Sequence, residues 1–355
     1  MSAPLPLIRG LLRAVLAGPE PLLRMVAGPP PRSDRGVELD LATHALLSLM
    51  AAAKLGGIHK LPPDKARRAF DRDAPILDLP PAPGVSIEDT TLPGATGPLP
   101  CRVYRPEAAP NEDLPVLLWL HGGGFVIGSL DTHVGPCSLL AARAHCLVLA
   151  IEYRKAPEHP FPAALEDALA VVRALRKNPR LVEAHGGDPS RLVIGGDSAG
   201  GNLSAAVCQQ LRDAGEPQPG AQVLVYPATD LRRGHASHTR FARGFFLTVE
   251  LLDYFMGYYL RGSEDARDPK GSPLLAESLE GLAPALIHTA GFDPLRDEGH
   301  EYAARLQAAG VAVDLRCHER LIHGYVCMGG AIPLARAAIE ELADALRVRL
   351  CQLEQ

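Results

Sequence analysis

The sequence predicts an α/β fold, a mostly parallel sheet of eight strands with helices on both faces, and three observations predict it. From about residue 84 to the end, strand-length apolar runs alternate with helix-length segments. Two of those runs, "LPVLLWL" (Leu114 to Leu120) and "CLVLAIEY" (Cys146 to Tyr153), are apolar almost throughout, as strands covered on both faces are. The length of 355 residues, 47% hydrophobic and 22% charged, suits one large soluble domain, with or without a smaller appendage.

Residues 1–75 show no convincing strand and read as helices broken by "GPPPR" (Gly28 to Arg32) and "LPPDKARRAF" (Leu61 to Phe70). They form an N-terminal helical segment ahead of a main domain over 76–355. That domain opens with a hairpin, "VSIEDTTLPG" and "LPCRVYRP", before the two apolar strands. A helix in "FPAALEDALAVVRALRKN", a strand in "RLVIGG", a helix in "NLSAAVCQQLRDAG" and a strand in "AQVLVYP" follow. About 230–270 break the alternation, carry the aromatic-rich helix "TVELLDYFMGYYL" and read as an insertion over one end of the sheet. "PALIHTAG", "EGHEYAARLQAAG", "VAVDLRCHE" and "ARAAIEELADALRVRL" then complete a strand, helix, strand, helix series.

The bulk numbers exclude several classes. With 36 basic and 41 acidic residues the net charge is -5, which offers nucleic acid nothing. The seven cysteines are scattered, without CxxC spacing, so neither a disulfide framework nor a zinc site is expected, and no metal or cofactor is called for. Such free thiols suit a reducing cytoplasm. No apolar run approaches the ~20 residues of a membrane span. Near the N-terminus, Arg9 and Arg13 interrupt what would have to be an unbroken signal-peptide core. Leu7, Ile8, Leu11, Leu12, Val15 and Leu16 recur at helical spacing with the arginines off that stripe, so this helix packs on the protein or rests on a membrane surface; two arginines make a thin lipid-binding face, which favours packing.

Chemistry is concentrated in "LVIGGDSAGGN" (Leu192 to Asn202). Gly196, Ser198 and Gly200 fit G-x-S-x-G between a strand and a helix, the setting of a nucleophile elbow. A tight turn there strains the serine backbone, brings other backbone close to its flanks, and places the hydroxyl at a helix N-terminus. A phosphate loop is excluded: Asn202 follows the glycines where a P-loop needs lysine, and the dinucleotide spacing is absent. Upstream, "LWLHGGGFVIGS" sets three glycines behind an apolar strand, able to point backbone N–H groups at an oxyanion. An acid and a histidine should follow in that chain order. Asp293 lies just past a strand end, whereas its rival Asp297 should already be helical. In "CHERLIHGY", His323 falls in the loop beside a glycine, whereas His318 is still within the strand. His288 reads as a strand residue, His300 as a helix-face residue, and His235 and His238 as solvated members of the insertion.

With HGGG (His121 to Gly124), GDSAG (Gly196 to Gly200), DPLRDE (Asp293 to Glu298), HGY (His323 to Tyr325) and "YRKAPEHPFPAALEDA" (Tyr153 to Ala168), the chain resembles the bacterial hormone-sensitive-lipase family (family IV) of α/β-hydrolase esterases. Lys155 stands where that family usually has an apolar residue, and Tyr325 where Phe is more familiar. The resemblance runs from about residue 80 to the end and implies an α/β-hydrolase fold with a helical cap. It implies a serine carboxylesterase with Ser198 as nucleophile, His323 as general base and acid, and Asp293 orienting the imidazole. The backbone N–H groups of Gly123, Gly124 and Ala199 match the family's oxyanion hole. His121 is expected to organise its loop, and Asp197, Glu166 and Asp167 to tie loops by hydrogen bonds. Phe125, Phe246 and Leu247 either pack the cap or line an apolar pocket. A roof built from the N-terminal helices and the insertion implies short- to medium-chain acyl esters. Amide hydrolysis or deacetylation by the same triad is the alternative. A non-catalytic receptor is a further one, since plant gibberellin receptors resemble this family but lack the working histidine. The family often forms dimers, and "VAVDLRCHE" is a plausible exposed edge for a homodimer.

Overall fold

The computed structural model describes residues 5–55, 57–109 and 113–354. Four helices come first: α1 (Leu5–Leu16), α2 (Glu20–Ala27), α3 (Leu41–Ala52) and α4 (Pro63–Leu77). The hairpin β1 (Val85–Pro93) and β2 (Pro98–Pro106) leads into β3 (Leu114–Leu120), α5 (Val134–Ala144) and β4 (Leu147–Ile151). Next are α6 (Ala163–Lys177), the single turn α7 (Arg180–Glu183), β5 (Gly187–Asp197), α8 (Ala199–Asp213) and β6 (Gln222–Val225). α9 (Ala236–Arg240) and α10 (Val249–Tyr259) precede β7 (Ala285–Phe292), α11 (Arg296–Ala308), β8 (Val313–Ile322) and α12 (Pro333–Cys351).

All eight strands form one sheet in the order β1-β2-β4-β3-β5-β6-β7-β8. β1, β2 and β4 pair antiparallel and every later pairing is parallel, so the sheet is the mostly parallel one expected. Every residue of β3, β4, β6 and β7 is buried, the consequence of helices on both faces. The two edges differ: β1 is largely exposed, and β8 carries the exposed Leu315 and Arg316. The break in alternation is longer than expected, spanning the whole chain between β6 and β7.

The N-terminal helix corrects one expectation. Arg9 and Arg13 do not face solvent; both guanidinium groups turn inward and donate to the carbonyl of Asp78, just past α4, Arg9 at 2.7 Å. Leu16 is buried, but Leu11 points outward, 67% exposed. Arginines thus share the docked side because a terminal carbonyl offers them a better partner than water; the Leu7 and Ile8 side chains lie outside the described residues. A second tie comes from Asp34, which receives a two-pronged contact from the buried Arg296 at 2.7 and 2.9 Å.

Candidate active site

β5 ends at Asp197 and α8 begins at Ala199, so Ser198 alone makes the turn. Its φ of 56° and ψ of -115° lie outside the regions an L-residue ordinarily occupies. Closeness explains the flanking glycines. A Cβ on Gly196 would stand 2.2 Å from the carbonyl oxygen of Leu120, and one on Gly200 only 1.8 Å from it. Any side chain there would push β5 and α8 away from the end of β3.

Around this turn the structure brings together the three residues picked from the sequence. His323, directly after β8, places Nε2 3.0 Å from Ser198 Oγ and Nδ1 2.8 Å from Asp293 Oδ2. Asp293, directly after β7, is fully buried, and its Oδ1 accepts the Leu295 amide at 2.8 Å. Ser198 remains partly exposed. Asp297, the rejected rival, is in the first turn of α11 and holds Arg296 and the Ser237 amide.

The glycine loop after β3 starts against the same turn, with the Gly122 amide on Asp197 and the His121 carbonyl close to Gly200. Gly123 (φ 124°) and Gly124 (φ 59°) are both partly exposed, and among the described residues neither amide donates to another backbone group. Ala199, first in α8, has an amide with no partner inside its helix. The loop is anchored from below. His121 is buried, stacks on Tyr153 at 4.4 Å and contacts the Gly122 carbonyl through Nδ1 at 2.7 Å. Burial first, then the charge of Lys155, pushes its pKa well below the ordinary imidazole value. A neutral ring whose Nδ1–H donates to a carbonyl organises its loop, as expected. Lys155 itself bridges the Gly128 carbonyl at 2.6 Å and the carboxylate of Glu152.

The other expected loop ties are mostly in place. Asp167 accepts the amides of Ala95 and Arg154 at 3.1 and 3.0 Å, and Asp197 accepts that of Gly122 at 2.8 Å. Glu166 only reaches Arg154, at 3.3 Å on the surface. The three apolar candidates divide. Phe125 is buried and stacks on Tyr259 of α10 at 3.8 Å, and Leu247 is buried in the same core. Phe246 is partly buried, with its ring against Gly324, the neighbour of His323.

One histidine expectation is overturned. His235 and His238 are not solvated: His238 is buried with Nε2 3.0 Å from Glu298 Oε2, and His235 lies 3.4 Å from the buried Asp230. Glu298 is fully buried, so a cationic or donating partner must accompany it. Sequence reading missed three further residues at the site. Tyr226 lays its ring against His323 at 4.4 Å, Phe255 of α10 presses on Gly124, and His133 contacts Asp197. Each belongs to a segment whose local pattern is that of an ordinary strand end or helix.

A family model described as an alpha/beta hydrolase fold matches residues 117–327, the span from β3 through His323. The carboxylic ester hydrolase LipN of Mycobacterium tuberculosis is 44% identical over 318 residues, covering 86% of this chain and 82% of that protein. An ethyl acetate hydrolase of Pseudomonas putida is 38% identical over 321 residues, 88% of this chain and 98% of its own. Among solved structures, an ester hydrolase from the Lake Arreo metagenome, complexed with a bipyridine phosphonate derivative, is similar with a TM-score of 0.84. Its identity is 41%, over 87% of this chain and 98% of that one. The chain belongs to the α/β-hydrolase family, in its hormone-sensitive-lipase branch of carboxylic ester hydrolases.

Proposed function

We propose that the chain hydrolyses short- to medium-chain acyl esters through an acyl-enzyme formed on Ser198. The observation that carries this reading is the unbroken hydrogen-bonded series Ser198–His323–Asp293 at 3.0 and 2.8 Å, centred on a strained serine. In it, Ser198 Oγ attacks the ester carbonyl while His323 Nε2 takes its proton. The oxyanion that forms is met by the amides of Gly123, Gly124 and Ala199, each worth roughly 3–4 kcal/mol in the transition state. His323 returns the proton to the departing alcohol, and Asp293 orients the ring and offsets its positive charge. Water then repeats the sequence on the acyl-enzyme.

Support for modest substrate size comes from what covers the site. Tyr254 of α10 donates to the Leu61 carbonyl at 3.0 Å, joining the insertion to the N-terminal segment. Arg67 of α4 donates to the Val126 and Ala156 carbonyls at 2.8 and 2.6 Å, tying that segment to the glycine loop. On this reading the two cap elements roof the serine, with Phe255 against Gly124 and Phe246 against Gly324 beside His323. An intact His323 removes the ground for a receptor role, and the relatives' names favour ester over amide. No described helix is long and apolar enough to cross a membrane. A cytoplasmic location and a homodimer through the edge strand β8 belong to the same proposal.

A series of p-nitrophenyl esters of increasing acyl length, run beside a matching anilide, tests the reading. The expected result is highest kcat/KM at short to medium chains, little anilide cleavage, and no turnover in Ser198→Ala. A preference for long acyl chains or for the anilide would overturn it.

A further inference from the structure

A second buried histidine–carboxylate pair flanks Ser198 and has no part in the chemistry above. Asp197 is 4% exposed and His133, just before α5, is 2% exposed. The Asp197 carboxylate gathers three groups. Oδ1 accepts the Gly122 amide at 2.8 Å and lies 3.0 Å from His133 Nε2, an ion-pair contact set off the hydrogen-bond axis. Oδ2 accepts the Tyr226 hydroxyl at 3.3 Å, and that tyrosine ring backs His323. One carboxylate therefore touches the root of the glycine loop, adjoins Ser198 in the chain, and steadies the ring behind the base.

A count of hydrogens gives the charge of its partner. His133 Nδ1 is 2.8 Å from Thr132 Oγ1, and the same oxygen is 2.8 Å from the Ser129 carbonyl. Threonine has one hydroxyl hydrogen for these two acceptors. Given to Nδ1, it leaves two oxygens facing each other at 2.8 Å with no hydrogen between them. Given to the Ser129 carbonyl, it requires Nδ1 to bring its own. Nε2 must carry a hydrogen too, because a bare lone pair would face the Asp197 carboxylate. Only the imidazolium leaves no lone pair facing another in these contacts.

We propose that His133 is an imidazolium near neutral pH, and that the His133–Asp197 pair positions the oxyanion loop through Gly122 and the His323 ring through Tyr226. Burial alone would lower the His133 pKa, but the charge and contact of Asp197, with Asp78 behind it, reverse the direction and raise it. Asp197 mirrors this: burial raises its pKa, and His133 together with the Gly122 amide more than reverses that. The other groups facing the pair are the neutral His121, ring centroids 5.7 Å from His133, and the thiols of the buried Cys137 and the half-buried Cys327, both pushed up by desolvation. Arg9 acts on Asp78 from outside. For a histidine with a raised folded pKa, the stabilisation is complete below the unfolded value and is lost as pH rises through the folded one. The loss therefore falls on the alkaline side.

The proposal rests on the loop amides acting as described above, yet the charge state is read without turnover, so the two can fail separately. In 15N-labelled full-length protein, long-range 1H–15N NMR reports both ring nitrogens, with His133 assigned by contacts to Thr132 and by its disappearance in His133→Gln. Both nitrogens should be protonated at pH 7, titrating above the ordinary imidazole midpoint. His133→Gln should lower kcat about 10- to 100-fold with KM nearly unchanged. Adding Asp197→Asn should recover part of the thermal stability that His133→Gln loses, since it removes the uncompensated charge. A bare Nδ1 at pH 7, wild-type kcat in folded His133→Gln, or strictly additive stability losses would each overturn the proposal.

Discussion

Ser198 lies between two buried histidine–carboxylate pairs, and they differ in what the far nitrogen touches. In His323–Asp293 one nitrogen is held by the acid and the other is left for the serine hydroxyl at 3.0 Å. In His133–Asp197 both nitrogens are occupied, one by the acid and one by Thr132. On the proposed reading the same two residue types yield a proton carrier in one case and a fixed charge in the other. What separates them is the third partner: a partly exposed hydroxyl that can gain and lose a proton, against an interior one engaged with its own backbone.

The comparison breaks most sharply at the serine. Ser198→Ala or His323→Ala should cost on the order of 10⁴–10⁶ in kcat with the melting temperature nearly unchanged, checked by ester hydrolysis and thermal unfolding. Asp293→Asn keeps the shape but favours the wrong ring tautomer, and about 10⁴ in kcat should go with it. Gly124→Ala comes next. Its Cβ would meet the Phe255 ring at 2.2 Å on a backbone at φ 59°, so one oxyanion donor is displaced and kcat should fall about 10²–10³-fold. Gly36→Ala has a similarly unfavourable φ of 75° but open space around it, and should cost only about 1 kcal/mol of stability with activity retained.

Smallest in catalytic effect is Asp34→Asn, which removes the two-pronged contact to Arg296 and should lower the urea midpoint while leaving kcat alone. Arg296 holds the Asp34 carboxyl down at about 2. A carboxyl lowered on folding stabilises above its unfolded value and stops doing so as pH falls through its folded one. The gap in urea midpoint between wild type and Asp34→Asn should therefore be full at pH 7 and close as pH drops from about 4 toward 2.

The two pairs also mark how far the sequence could be read. Asp293 and His323 were legible because each stands at a strand end, in a chain order that the elbow at Ser198 dictates. The sheet was legible for a related reason: β3 and β4 are buried on both faces and carry that fact in continuous apolar runs, while β6 and β7, equally buried, keep a shorter apolar signature around Gln222, His288 and Thr289. His133 leaves no such trace. Its partner is far along the chain, and only the closeness of α5 to the end of β5 makes the pair. His235 and His238 were misread for the same reason, since the acid that buries His238 is on α11. Arg9 and Arg13 look like a solvent face until the Asp78 carbonyl is set beneath them.

Labelling with a fluorophosphonate, followed by mapping of the modified peptide, tests the central claim most directly. The account predicts one adduct, on Ser198, absent from Ser198→Ala and greatly slowed in His323→Ala. An adduct on another residue, or undiminished labelling of Ser198→Ala, would contradict it.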